Sequence, residues 1–183
     1  MVKITTLFKK NPKDLSRVIN EINPVNYWVF NSGIPTRKFD GTACAVIDGE
    51  LYKRYDVKKG KVVPENSISC QDPDEITGHW PHWVKCHRND PSVKYHFEAF
   101  DLKHHEDGTY ELCGEKIQGN PERLIGHKLI RHGCEKLPVY DFSFEGIKEY
   151  LSSNIDIEGI VFHDKNGGGR MCKIRKSDFG IKR

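Results

Sequence analysis

The sequence predicts an α+β fold in which two mainly antiparallel sheets flank a cleft, and three observations carry that reading. Short segments of strand composition recur along the chain, at residues 27–31, 42–47, 50–55, 93–101, 109–113, 128–132, 158–163 and 171–174. Turn signals separate them, among them Asp48-Gly49, Lys59-Gly60, Asp107-Gly108 and Gly167-Gly168-Gly169, with hairpins expected at the first and the last. Two stretches stand out for helical spacing of apolar residues. One covers 11–21, with Leu15, Val18, Ile19 and Ile22. The other follows Ser143, a favoured N-cap residue, and puts Ile147, Tyr150 and Leu151 on one face. No internal repeat or low-complexity linker interrupts the pattern.

Composition sets bounds that agree. A chain of 183 residues suits one domain, able to bury a core without disulfides or structural metal. Hydrophobic residues make up 37% and charged residues 30%, and the mean hydropathy is −0.65. That is a globular composition, and no apolar run approaches transmembrane length. Residues 1–13 carry Lys3, Lys9, Lys10 and Lys13 but lack the apolar stretch and cleavage site of a secretory signal. An intracellular, cytoplasmic monomer with no membrane partner is expected. Cysteines 44, 70, 86, 113, 134 and 172 show no Cys-x-x-Cys spacing and read as free thiols. His79, His82, Cys86 and His87 lie close in sequence without the paired spacing of a zinc site.

A formal charge of +3 says little about partners, but the distribution says more. Cations gather at Lys9, Lys10 and Lys13, at Lys58, Lys59 and Lys61, and at Arg170, Lys173, Arg175, Lys176, Lys182 and Arg183. Such clusters ordinarily mark solvated faces. The last differs because part of it lies in a predicted strand, where residues i and i+2 share a face. Lys173 and Arg175 point together with Met171, while Cys172, Ile174 and Lys176 take the other side. Glu158 opens an apolar strand, and Gly159 leaves room for a ligand or another backbone. Upstream, Lys38, Phe39, Asp40 and Gly41 set an amine beside a carboxylate and a turn pair. One amine, carboxylates for metal and ribose, and cations for phosphates are what covalent nucleotidyl transfer requires. A free lysine titrates near ~10.4, so holding one neutral at pH 7.4 costs about 4 kcal/mol, a cost that neighbouring cations lower. Lys173 and Arg175, together on one strand face, are the candidates.

These segments resemble, in order, motifs I (Lys38 to Gly41), IV (Glu158 to Phe162) and V (Lys173 to Arg175) of the covalent nucleotidyltransferase superfamily. Three further segments narrow the likeness: Gly78-His79-Trp80-Pro81-His82-Trp83-Val84, Tyr110-Glu111-Leu112-Cys113-Gly114 and Ile117-Gln118-Gly119-Asn120-Pro121, followed by a strand ending in His132-Gly133. Together residues 36–180 resemble the vertebrate-type RNA ligase 1 family, ATP-dependent ligases that join RNA ends. The resemblance implies a single nucleotidyltransferase (ligase adenylylation) domain over 1–183 and, since the chain ends shortly after Gly180, no OB-fold. It implies ATP as AMP donor, Mg2+ or Mn2+ as metal, and RNA with 5′-phosphate and 3′-hydroxyl ends as partner. Lys38 would be adenylylated, AMP would pass to the 5′-phosphate, and the 3′-hydroxyl would displace AMP.

By position, the resemblance makes Lys38, Asp40, Lys173 and Arg175 catalytic, and Lys38, Arg54, Glu111, Glu158, Lys173 and Arg175 nucleotide-binding. Glu111 would hold the ribose, with Glu115 as a rival, and Glu158 the metal. Gly41 would allow the turn that exposes the amine. Ile130 or His132 would carry the base, although a structural histidine is the equal alternative. Trp80 and Trp83 read first as packing a loop, with RNA stacking the rarer role, and Gly119-Asn120-Pro121 reads first as a turn. Lys9, Lys10, Lys182 and Arg183 are candidates for orienting pyrophosphate. Two other readings stay open: another covalent nucleotidyltransferase, whether capping-guanylyltransferase-like or an adenylyltransferase, and a non-catalytic RNA-binding module.

Overall fold

Alternation of buried and solvent-facing residues along the strands organises both halves of this chain. The structure, a computed structural model, describes residues 4–75, 78–167 and 169–183. Gly168 of the expected glycine turn and Met1–Lys3 of the basic N-terminus lie outside the described residues. In chain order the strands are β1 (Thr5–Thr6), β2 (Phe8–Asn11), β3 (Asp14–Ile22), β4 (Gly33–Lys38), β5 (Thr42–Ile47) and β6 (Glu50–Val57). Then follow β7 (Ile68–Ser69), β8 (Trp80–Lys85), β9 (Gly108–Gly114), β10 (His127–Arg131), β11 (Gly159–Asp164) and β12 (Met171–Arg175). The helices are α1 (Val29–Ser32), α2 (Lys94–Ala99), α3 (Phe144–Ser153) and α4 (Lys176–Phe179). The result is a mixed α+β fold with three sheets among the described residues, one more than expected.

The chain forms two compact units, Asp40–His132 and the terminal segments Ile4–Phe39 with Gly133–Arg183. It passes from one to the other between Phe39 and Asp40 and returns between His132 and Gly133.

In the terminal unit, a four-stranded sheet runs β1-β12-β11-β4, and the hairpin β2-β3 is a sheet of its own. All these pairings are antiparallel except β1 with β12. Ile160 and Phe162 of β11 and Cys172 and Ile174 of β12 are buried with Phe8, Val18, Val29, Ile147 and Leu151. Helix α3 forms where expected, because the Ser143 hydroxyl accepts a hydrogen bond from the Gly146 amide and Ile147 and Leu151 form its buried stripe.

In the 40–132 unit, six antiparallel strands run β10-β9-β5-β6-β8-β7. Register pairs Cys44 with Tyr110 and Val46 with Leu51, and Leu112 with Leu129. These residues form one apolar face, closed by Cys86, Val93 and the Phe97 and Phe100 rings.

Four expectations are corrected. Residues 11–21 form no helix. Pro12 and Lys13 turn the chain between β2 and β3, the Asn11 side chain accepts from the Lys13 amide, and Leu15 of the supposed stripe is 70% exposed. Residues 27–31 are not a strand, because Pro24 opens a short 3-10 turn that leads into α1. The expected strand 93–101 is absent: α2 occupies Lys94–Ala99, entered through a second 3-10 turn (Pro91–Val93) whose cap, Asp90, accepts from the Ser92 amide. The tryptophan segment is no loop but β8, paired along β6 from Tyr52↔Lys85 to Val57↔Trp80.

Candidate functional site

Register in the terminal unit places the expected cations together. Gly159 of β11 is flanked by Lys38 of β4 on one side and Arg175 of β12 on the other. Two residues on, Val161 is flanked by Thr36 and Lys173. Lys38, Lys173 and Arg175 therefore share the face opposite the buried Ile160, Phe162, Cys172 and Ile174. Gly159 serves a backbone: a Cβ there would lie 2.3 Å from the Ile174 carbonyl oxygen and 2.8 Å from Arg175 Cα.

Glu158, just before β11, brings Oε2 to 2.5 Å from Lys38 Nζ. Lys173 titrates below the ordinary lysine range, first because partial burial disfavours its charge and then because Arg175 and Lys38 are beside it. Arg175 is anchored from behind by the fully buried Asp178, through Nη2 to Oδ1 at 3.0 Å and Nε to Oδ2 at 3.3 Å. Lys10 Nζ reaches the same carboxylate at 2.7 Å. Burial alone would raise the Asp178 pKa, but the hydrogen bonds from Arg175 and Lys10 outweigh it and hold it below the usual range.

Three other members of the basic clusters have structural partners. Lys176 is buried with Nζ donating to the Asn154 carbonyl at 2.6 Å. Lys9 pairs with Glu21 across the hairpin at 2.8 Å, and Arg183 donates to the Asp156 carbonyl at 2.9 Å.

The remaining candidates belong to the 40–132 unit. Glu111 lies opposite Ala43 on one side and Ile130 on the other, and Arg54 lies opposite Trp83. Alternation puts Glu111, Ile130, Arg54 and Trp83 on the face opposite the apolar one. Glu111 Oε2 contacts His132 Nε2 at 2.9 Å, and Oε1 accepts from the Gly41 amide at 3.2 Å. His132 Nδ1 contacts Thr109 Oγ1 at 2.9 Å, so both ring nitrogens are partnered. The rival Glu115 is exposed beyond the end of β9. Arg54 Nε donates to Asp56 Oδ1 at 3.0 Å, and its guanidinium sits 5.8 Å from the centroid of the buried Trp83 ring. Gly41 is needed for close approach, since a Cβ would meet the Leu112 carbonyl oxygen at 2.2 Å.

The Asp40 amide donates to Glu122 Oε1 at 2.9 Å. Glu122 is a contact of the candidate segment that sequence reasoning missed, because no local pattern links it to a residue 82 positions away. Among the described residues, no group of three or more His, Cys, Asp or Glu is arranged to hold a metal. No helix among them is long and apolar enough to cross a membrane.

No family model matches the chain. Over 82% of its length, however, the chain is similar at 28% identity to a protein named RNA ligase 1 from Pongo abelii, 68% of which the match covers.

Proposed function

We propose that this chain is an ATP-dependent RNA ligase that joins 5′-phosphate and 3′-hydroxyl ends through a lysyl-AMP at Lys38. The observation that carries the reading is the row Lys38, Gly159, Arg175, with Lys173 one step along the same face and the Glu158 carboxylate at the Lys38 amine. The similarity to a protein named RNA ligase 1 favours RNA joining over other nucleotidyl transfers.

In the proposed reaction, Lys38 Nζ attacks the α-phosphorus of ATP. The P–N bond forms as the α–β phosphoanhydride bond breaks and pyrophosphate leaves. A 5′-phosphate oxygen of RNA then displaces Lys38 from the adenylyl group, and finally the 3′-oxygen attacks that 5′-phosphorus, expelling AMP. Lys173 and Arg175 are the cations for phosphate charge, Asp178 keeping Arg175 in place. On the resemblance, Glu111 is assigned to the ribose, Ile130 or His132 to the base, and Arg54 to the RNA phosphate or the adenylate. Glu158 is the carboxylate for Mg2+ or Mn2+. One carboxylate suits Mg2+, which takes one or two and fills its remaining positions with phosphate oxygens and water. When bound, such an ion neutralises phosphate charge.

The test is incubation with α-labelled ATP and magnesium without RNA, followed by peptide mapping. Label is expected at Lys38, absent from Lys38→Ala, and absent with GTP. Absence of label from ATP would sink the reading, and label from GTP alone would point to a capping-type enzyme. A labelled protein that cannot seal a broken RNA hairpin bearing 5′-phosphate and 3′-hydroxyl ends would refute ligation.

A further inference from the structure

We propose that Glu122 is a positioning residue that, with Glu111, clamps the backbone directly after the nucleophile. The inference rests on the reading of Lys38 as the residue that takes up AMP. Two successive amides, those of Asp40 and Gly41, donate to two carboxylates, Glu122 Oε1 at 2.9 Å and Glu111 Oε1 at 3.2 Å. Hydrogen bonds to an ionised acceptor are roughly twice as strong as neutral ones, and consecutive amides held this way fix the peptide plane between them. Gly41 is also seated against β9 so closely that no side chain fits.

The loop that presents Glu122 is built to hold it still. Between β9 and β10 the backbone is left-handed at Gln118, Asn120 and Arg123, with φ of 49, 56 and 52°. Residues other than glycine adopt that conformation only where surrounding contacts enforce it, and such positions gather at functional sites. Here the Asn120 side chain enforces it, with Nδ2 donating to the Leu124 carbonyl and Oδ1 accepting from the Leu124 amide, each at 2.9 Å. Those bonds close the loop on either side of residue 122. The Arg123 amide adds a turn bond to the Asn120 carbonyl at 3.0 Å. Gly119-Asn120-Pro121, which the sequence suggests only as a turn, thus becomes the support of a half-buried carboxylate.

Asp40 is two residues past Lys38, where the chain leaves the terminal unit. Holding its amide fixes the backbone two residues after the amine. The clamp therefore acts on the rate of attack and not on ATP affinity.

The experiment compares Glu122→Ala, Glu122→Asp and Glu122→Gln in the full chain. In the alanine variant, the Asp40 amide should exchange with solvent about tenfold faster or more, with Ile174 in β12 unchanged. The kcat for label uptake from ATP should fall about ten- to one-hundred-fold, with KM for ATP within about threefold. Glu122→Gln keeps an acceptor oxygen and should recover most of both, whereas Glu122→Asp, one methylene shorter, should resemble alanine. Unchanged Asp40 exchange in Glu122→Ala and Glu122→Asp, or a glutamine variant no better than alanine, would overturn the clamp. A wild type that takes up no label would overturn the proposed reaction, and the positioning role with it. The exchange measurement would still decide whether Glu122 holds the amide.

Discussion

Lys38 Nζ lies 2.5 Å from Glu158 Oε2, so the lysine that ends β4 is paired with the carboxylate that precedes β11. The side chains are 21% and 19% exposed, and partly solvated pairs of this kind contribute about 0–1 kcal/mol to stability. Removing the carboxylate should therefore damage chemistry far more than folding. Glu158→Ala is expected to lower AMP uptake about 100-fold or more while shifting Tm by no more than a few degrees. Initial rates of label incorporation beside a thermal melt check this. A large fall in Tm with labelling preserved would assign Glu158 to structure alone.

Asp178 should behave in the opposite way. It is fully buried and joins Arg175 of β12 to Lys10 of the hairpin. Losing one partner of a buried charge cluster costs about 3–5 kcal/mol, so Asp178→Ala should unfold far more easily and also label slowly because Arg175 loses its anchor. Its depressed pKa gives the pH dependence a definite sign. The contribution is present above the unfolded carboxylate value of about 4 and is lost as pH falls through the lower folded value. Denaturation of wild type and Asp178→Asn should thus differ most at neutral pH and converge below about pH 4.

His96 of α2 sets a second acid dependence, at higher pH. It is 7% exposed, and neither ring nitrogen has a hydrogen-bond partner among the described residues. Burial first and Lys53 second, opposed by Asp90, push its pKa down from 6.5 to about 4. Between those values the unfolded chain binds a proton that the folded chain does not, so stability rises with pH across this window. The 40–132 unit should lose up to about 3 kcal/mol as pH falls from 6.5 to 4. His96→Leu should abolish that slope and be at least as stable at pH 7, since it removes two unpaired buried nitrogens. Urea midpoints from pH 4 to 7.5 decide the matter, and an unchanged slope in the leucine variant would refute it.

What could be read from the sequence was local. The Ser143 cap acts three residues away, on the Gly146 amide, and alternation in β12 depends on consecutive residues, so both were legible. The apolar positions 15, 18, 19 and 22 fitted a helix because β-branched residues in a hairpin can mimic that spacing; the partner strand β2 decided the matter. For α2 the signal was present in Asp90-Pro91-Ser92, an N-cap and a proline at the first turn, but the aromatic run Tyr95, Phe97, Phe100 reads as strand composition. The site divides in the same way. Lys38, Lys173 and Arg175 lie on the two strands that flank β11, and Glu158 directly precedes it, an order that follows from pairing, whereas the contact between Glu122 and the Asp40 amide depends on a loop conformation set by contacts four residues apart and more.

Two glycines separate a packing requirement from a conformational one. A Cβ at Gly159 would meet backbone atoms of β12, the Ile174 oxygen at 2.3 Å and Arg175 Cα at 2.8 Å, which cannot move without shifting the strand. Gly159→Ala should cost about 1–3 kcal/mol, as overpacking does, and should slow AMP uptake because β12 carries Lys173 and Arg175. Gly167 is different: among the described residues beyond its chain neighbours, nothing lies within 4 Å of its Cβ position, but its φ is +83°. There alanine should cost only about 1–2 kcal/mol of backbone strain and leave the rate of labelling within about twofold, a change of about 0.4 kcal/mol in barrier. Measuring Tm and labelling rate for both variants separates the two causes. Equal losses of rate at 159 and 167 would mean that the spacing of β11 and β12 does not set the position of the cations.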